Sequence, residues 1–216
     1  MTFRLASTLA LLLATSPALA QPDRDAGRDK YEKVPEILTT LGVTTAARVA
    51  DIGAGDGFYS VRIARAMPSS GRVMAVDVSE KALESLRQRL QREGVSNVDV
   101  TLGAFDSPRL TADTYDAALI YNSYHEMSDY GPMLNGILSG LKPGGRLVII
   151  ELIHDAMRLE SRSDQTAKHE ISDDLTVTEL EAAGFQIARK DPTFRPFTDP
   201  NGTGAWWLIV ATKPAR

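Results

Sequence analysis

The run Val49-Ala50-Asp51-Ile52-Gly53-Ala54-Gly55-Asp56-Gly57 sets an acid and three alternating glycines directly behind apolar residues. Glycines let the backbone approach a ligand closely and adopt dihedrals that a Cβ forbids. A helix opening just after such a turn aims its free N–H groups at whatever the turn holds. That is a seat for a nucleotide-like ligand. Asp77 ends the next apolar run, where the two oxygens of an acid can take two ribose hydroxyls.

A second group of chemistry-bearing residues follows the apolar run Tyr115 to Tyr121: Asn122, Ser123, Tyr124, His125 and Glu126. His125 titrates near neutral pH and is the first candidate for a general base. Tyr124 and Glu126 are its companions. The competing roles are structural: a histidine that orders the backbone, and a tyrosine ring packed on the sheet edge. His154 and His169 lie further on. With His125 and Glu126 they could be drawn together as metal ligands, but no pair has the i, i+4 spacing of a helical zinc motif, so no metal is expected.

These residues need a scaffold that gathers them. Apolar runs at Arg48–Ile52, Arg72–Val76, Val98–Leu102, Tyr115–Tyr121, Arg146–Glu151, Phe185–Lys190 and Trp206–Thr212 read as strands. Between them, Phe58–Met67, Ser79–Glu93, Tyr130–Leu141 and Asp173–Ala183 read as helices, and Lys30–Leu41 as a lead-in helix. Ser79 is the expected N-cap and Gly94 the C-cap of the helix whose stripe is Leu83, Leu86 and Leu90. The Asp173-Asp174 pair suits the N-terminal end of its helix. Pro68-Ser69-Ser70-Gly71 and Lys142-Pro143-Gly144-Gly145 read as turns, Ile153–Ser172 as an irregular stretch able to form a lid, and Asp191–Gly204 as a loop. Strands alternating with helices predict an α/β, doubly wound, mostly parallel seven-stranded sheet with an antiparallel last strand. Ligands of such sheets bind beyond the carboxyl ends of the strands, where strand order reverses. Gly53 to Gly57, Asp77, the loop around Ala104 to Asp106, and the residues from Asn122 onward all fall at those ends.

Length and composition set bounds. The 216 residues, 43% hydrophobic and 24% charged, suit one α/β domain, and a net charge of −4 speaks against a general nucleic-acid surface. Arg4, the apolar stretch Leu5 to Ala14 and the ending Ala18-Leu19-Ala20 have the layout of a signal peptide. This divides the chain into a leader over residues 1–20 and a domain over residues 21–216, exported to the periplasm and without stable membrane insertion after cleavage. The chain has no cysteine. That excludes disulfides, thiol nucleophiles and thiolate zinc sites. Oligomeric state is not written in the sequence.

The ligand's identity follows from charge. Asp51, at the strand tip, would repel a pyrophosphate and suit a cationic amino group. The glycine spacing is not G-x-G-x-x-G, which disfavours an NAD-linked oxidoreductase. Both facts favour S-adenosylmethionine, which carries an ammonium and a sulfonium and no phosphate. Val49 to Gly57 resembles the first motif of the class I S-adenosylmethionine-dependent methyltransferases. Val76-Asp77-Val78-Ser79 resembles their acidic second-strand motif, Tyr115–Ile120 the fourth-strand motif and Leu141–Leu147 the fifth. Gly103–Leu110, Tyr124–Met127 and the leader further resemble a group of small exported bacterial methyltransferase-like proteins.

The resemblance implies that Asp51 holds the amino group of the cofactor's methionine part, directly or through water. It implies that Gly53 and Gly55 give close backbone approach, that Asp77 takes the ribose, and that Val78 and Phe105 flank the adenine. Where related enzymes carry an acid for the adenine amino group, this chain has Ala104, so Asp106 or backbone amides must serve. Asn122 joins the cofactor group. The expected reaction is in-line methyl transfer to a small-molecule acceptor, with His125, Tyr124 and Glu126 on the acceptor side. The cofactor is made in the cytosol, which leaves a second reading for an exported protein: an adenosyl-ligand-binding module without methyl transfer.

Overall fold

Alternation along the strands splits the apolar residues between two faces, and this decides the architecture. The computed structural model describes residues 25–67 and 70–215. The expected leader over residues 1–20, and Pro68 and Ser69 of the expected turn, lie outside them. The strands are β1 (Arg48–Ile52), β2 (Arg72–Asp77), β3 (Val98–Leu102), β4 (Tyr115–Tyr121), β5 (Leu141–His154), β6 (Gln186–Asp199) and β7 (Gly202–Thr212). They form one sheet in the order β3-β2-β1-β4-β5-β7-β6. The pairs β1–β2, β1–β4, β2–β3 and β4–β5 are parallel. β7 runs antiparallel to both β5 and β6.

The helices are α1 (Ala26–Tyr31), α2 (Val34–Leu41), α3 (Phe58–Ala66), α4 (Glu80–Glu93), α5 (Tyr130–Gly140), α6 (Arg162–Thr166) and α7 (Asp173–Ala182). On one face Ala118, Ile120, Leu147, Ile149 and Trp207 pack with Leu134 and Ile137 of α5 and Leu180 of α7. On the other, Ala117, Leu119, Val148, Ile150 and Leu208 pack with Ile37 of α2 and Tyr59 and Ile63 of α3. Both faces of the central strands are therefore covered, which is why they read as nearly continuous apolar runs. Strand order reverses between β1 and β4, and this opens a crevice above their carboxyl ends.

The expected caps of α4 are present. Ser79 Oγ accepts from the Ala82 N–H at 3.2 Å, and Gly94 takes φ 65°. Leu83, Leu86 and Leu90 are buried, and Trp207 faces the core while Trp206 is half-buried. Among the described residues, no helix is long and apolar enough to cross a membrane.

Four expectations are corrected. The lead-in helix is two helices, α1 and α2, broken at Lys33, whose φ is 55°. Pro35 lies in the first turn of α2; it has no N–H to bond the carbonyl of Tyr31, four residues back, and its ring crowds that carbonyl, so α1 cannot run on through it. The Lys142–Gly145 turn belongs to a bulged start of β5, where Gly144 N–H bonds the Lys213 carbonyl at 3.0 Å. Residues 191–204 are no loop: β6 and β7 continue into a long hairpin that turns at residues 200–201. Pro192 and Pro196 hide this strand from a sequence reading. They are tolerated because β6 is the sheet edge and is already bulged between Asp191 and Arg195. The irregular stretch 153–172 also contains the short helix α6, capped by Ser161.

The hairpin tip is tethered to the sheet by His154. Its Nδ1 lies 2.6 Å from Glu170 and its Nε2 3.2 Å from Asp199. Burial pushes the His154 pKa down, but the hydrogen bonds its imidazolium donates to Glu170 and Asp199 outweigh this and the net shift is upward. Asp199 is held below the usual carboxylate range, first by the Asn201 N–H and then by His154. The histidine's contribution is therefore complete below its ordinary pKa of about 6.5 and lost as pH rises through its higher folded value. The aspartate's contribution fails only at the acid end. Amide exchange at Gly202 and Thr203 should accelerate as pH is raised through that histidine transition, beyond the intrinsic base catalysis of exchange. In His154→Gln the excess should vanish, and an excess that persists would refute the tether.

Gly57 offers a second check. It takes φ 84°, and a Cβ there would stand 2.0 Å from Leu86 Cδ1 of α4. Gly57→Ala should cost about 2–4 kcal/mol in denaturant unfolding, from left-handed strain plus overpacking. An unchanged midpoint would contradict that packing.

Candidate functional site

The turn after β1 is built from backbone hydrogen bonds that only this sequence pattern permits. Gly53 and Ala54 N–H groups both bond the Val76 carbonyl, at 2.8 and 3.0 Å. Gly53, Gly55 and Gly57 take φ of 72°, 55° and 84°. A Cβ on Gly53 would stand 2.3 Å from Ser123 Oγ, so β4's end closes against the turn. Asp77, at the tip of β2, accepts the Gly55 N–H at 2.9 Å on one oxygen and the Ser79 N–H at 2.8 Å on the other. Each oxygen retains a further lone-pair direction.

Above these strand ends lies a cavity of about 290 Å³. Gly53, Gly55, Asp77, Val78, Phe105 and Asn122 line it, and so does Glu126. Six of the eight expected cofactor residues therefore share one space. Phe105 and Val78 present exposed apolar surface there, at 67% and 42% exposure. That is what a planar base would cover. Ala104 lines the cavity too, and Gly103 N–H bonds the Asp77 carbonyl at 2.9 Å.

Two expected cofactor residues stand apart. Asp106 is exposed and off the cavity lining. Asp51 is buried behind the glycine turn, where it accepts the Ser60 hydroxyl of α3 at 2.6 Å. Burial pushes its carboxyl up to about 6; the Ser60 bonds oppose that shift and the charge of Asp77 adds to it.

The acceptor-side candidates separate in the structure. Tyr124 is fully buried, and its hydroxyl donates to Glu179 of α7 at 2.6 Å. The structure thus places its ring in the core, away from the cavity. His125 is also buried, with Nδ1 3.0 Å from Glu151 Oε2. Glu126 is exposed to the cavity, 3.8 Å from His125 Nε2. His169 meets the His125 ring edge-on at a centroid distance of 5.7 Å, whereas His154 is committed to the hairpin tether.

The residue missed by sequence reasoning is Glu151. It is wholly buried within β5, three residues before the strand ends, and its Oε1 accepts the N–H groups of Tyr124 and His125 at 2.5 and 3.3 Å. One carboxyl thus fixes both backbone and imidazole of the 3₁₀ turn Tyr124–Glu126. The signal was present: an acid closing a strand of otherwise apolar residues. Burial disfavours the charged form of His125, but the Glu151 hydrogen bond and charge, with Glu126 and Glu170, raise its pKa overall. Ser123, Met127 and Met133 complete the cavity wall.

The comparisons agree with this geometry. A family model described as "Methyltransferase domain" matches residues 44–193. The ubiquinone/menaquinone biosynthesis C-methyltransferase UbiE of Marinomonas sp. is 27% identical over 159 residues, covering 73% of this chain and 60% of its own. The chain spans about half the length of the curated relatives it matches. A crystal structure of a SAM-dependent methyltransferase from Aquifex aeolicus superposes with a TM-score of 0.69 at 21% identity, over 87% of this chain and 93% of that one. Phosphoethanolamine N-methyltransferase 2 of Haemonchus contortus, solved with S-adenosyl-L-methionine, gives a TM-score of 0.67 at 16% identity, over 85% of this chain and 53% of that one. These structures share the fold of β1 to β7. The family model spans most of the described residues, from ahead of β1 into β6, and the protein belongs to the methyltransferase-domain family.

Proposed function

We propose that the protein is an S-adenosylmethionine-dependent methyltransferase acting on a small-molecule acceptor, in an exported setting given by its leader. The observation that carries this reading is the cavity at the β1/β4 crevice, floored by the glycine turn and edged by Asp77. Its lining offers an acid for ribose hydroxyls and an apolar shelf of Val78 and Phe105 for a base. Asp51 sets negative charge behind the turn, in support of a cationic amino acid end and against a pyrophosphate.

When bound, the cofactor supplies an electrophilic methyl group on a sulfonium. The chain's own work is to bind and orient it, and to present the acceptor from the side of Asn122, Ser123 and Glu126. The relatives named for ubiquinone and menaquinone C-methylation make the ring carbon of a quinol one acceptor to test.

Calorimetry should show saturable binding of S-adenosylmethionine and none of NAD. Asp77→Asn should weaken binding by about 1.5–3 kcal/mol, roughly 10- to 150-fold, because a charged acceptor is lost. Absence of binding to the wild-type protein would sink the proposal. Release of S-adenosylhomocysteine with one member of an acceptor panel completes the test, whereas binding without turnover assigns the non-transferring adenosyl module.

A pH series tests Asp51. Burial holds this carboxyl up at about 6, and a cationic amino group nearby favours its ionised form. Cofactor binding should then release a proton near that pH, and affinity should fall as pH drops below about 6, at most tenfold per unit. In Asp51→Asn that pH dependence should disappear. A wild-type profile flat between pH 5 and pH 7, a range of about one unit either side, would show that Asp51 does not sense the ligand.

A further inference from the structure

We propose that His125, Glu126 and His169 bind one divalent transition-metal ion at the rim of the cofactor cavity. The sequence reading expected no metal because the histidines lack helical zinc spacing. That test does not reach donors from separate segments. Here the 3₁₀ turn after β4 and the loop after α6 bring an imidazole, a carboxylate and a second imidazole together, with one ligand atom from each lying within 4.8 Å of the others. A tetrahedral ion with bonds of about 2.0–2.1 Å holds its donors about 3.4 Å apart. Glu126 and His169 are exposed, so side-chain rotation alone closes the difference.

Three further features fit a ligand set. First, His125 is oriented as metal-binding imidazoles are: one ring nitrogen on a buried carboxyl, the other turned to the cluster. Glu151 is itself locked by two backbone N–H groups.

Second, His169 occupies the left-handed position that closes the turn after α6, with φ 58°. The Glu170 N–H closes back on the Gln165 carbonyl at 3.1 Å, as in a helix stop that glycine or asparagine usually fills. A histidine there costs backbone energy, and its ring is what the position gains. The loop is also fixed independently of any ligand. The buried Gln165 side chain bonds Ser172 N–H and the carbonyls of Arg158 and Glu160, and Glu170 holds His154.

Third, Glu126 lines the cavity, so the ion's open positions face the space where an acceptor meets the methyl donor. Two imidazoles and one carboxylate suit zinc, iron(II), cobalt, nickel or manganese rather than magnesium or calcium. An acceptor with an oxygen donor would complete the coordination. Only this last point rests on the methyl-transfer reading; the ion site stands without it.

The test uses untagged, chelator-stripped protein titrated with Zn²⁺ by calorimetry and with Co²⁺ by visible absorption. The expected result is one ion per chain and a ligand-field band on cobalt binding. His169→Gly removes the imidazole and suits the left-handed backbone, so it should keep its unfolding midpoint yet bind zinc at least about 100-fold more weakly and lose the cobalt band. Glu126→Gln should also weaken zinc binding. The proposal is overturned if the wild-type protein shows no saturable one-to-one binding, if His169→Gly binds as the wild type does, or if Mg²⁺ binds as tightly as Zn²⁺. S-adenosylmethionine titrated into the same stripped protein reads the methyl-transfer proposal separately, so failure of either is distinguishable from failure of the other.

Discussion

The site depends on one constraint: the chain must turn at the end of β1 while its backbone N–H groups stay satisfied. Val76 supplies a single carbonyl for Gly53 and Ala54, and Asp77 supplies a carboxyl oxygen for Gly55. The tip of β2 therefore shapes the turn of β1. This works only with left-handed backbone at three positions, hence three glycines. The same arrangement closes Ser123 against Gly53 and seats Leu86 over Gly57. The cavity floor is thus fixed before any ligand arrives, which spares a ligand the cost of ordering it.

The acceptor side has its own organiser. Glu151 lies in β5, a strand buried on both faces, and turns its carboxyl to the 3₁₀ segment that follows β4. A buried polar group of this kind must find partners, and it finds two backbone N–H groups and an imidazole. His125 is therefore held from behind, and within the Tyr124–Glu126 turn it is Glu126 that lines the cavity. Arg162 holds Glu179, which in turn takes the Tyr124 hydroxyl. The segment between β5 and α7 is packed onto the 3₁₀ turn through these polar links, and it brings His169 with it.

Much of this was legible because it is local. Glycine spacing, acids at strand ends and the Ser79 and Gly94 caps depend on neighbours in sequence, and they mark the turn, the helices and the strand ends at which Asp77 and Gly53 lie. The hairpin of β6 and β7 was hidden because prolines at an edge strand mimic a loop: they break no ladder bond on the open side. The break at Lys33 was hidden because amphipathic spacing runs through it, while Pro35 acts four residues back, on the Tyr31 carbonyl that its missing N–H cannot bond.

By itself, then, the sequence determined the α/β class, the glycine turn after β1 and the place of Asp77 at the tip of β2, since each rests on backbone conformation or on charge at a strand end. Tertiary structure alone decided which acceptor-side residues face one another. It sent Tyr124 to Glu179, His154 to the hairpin, and Asp51 beneath α3. It also joined Glu151 to His125 across two parallel strands and set His169 beside them. Those pairings span many residues of intervening chain, and no local pattern encodes them. Strand register and the packing of a loop do, because they set which buried polar groups can reach a partner.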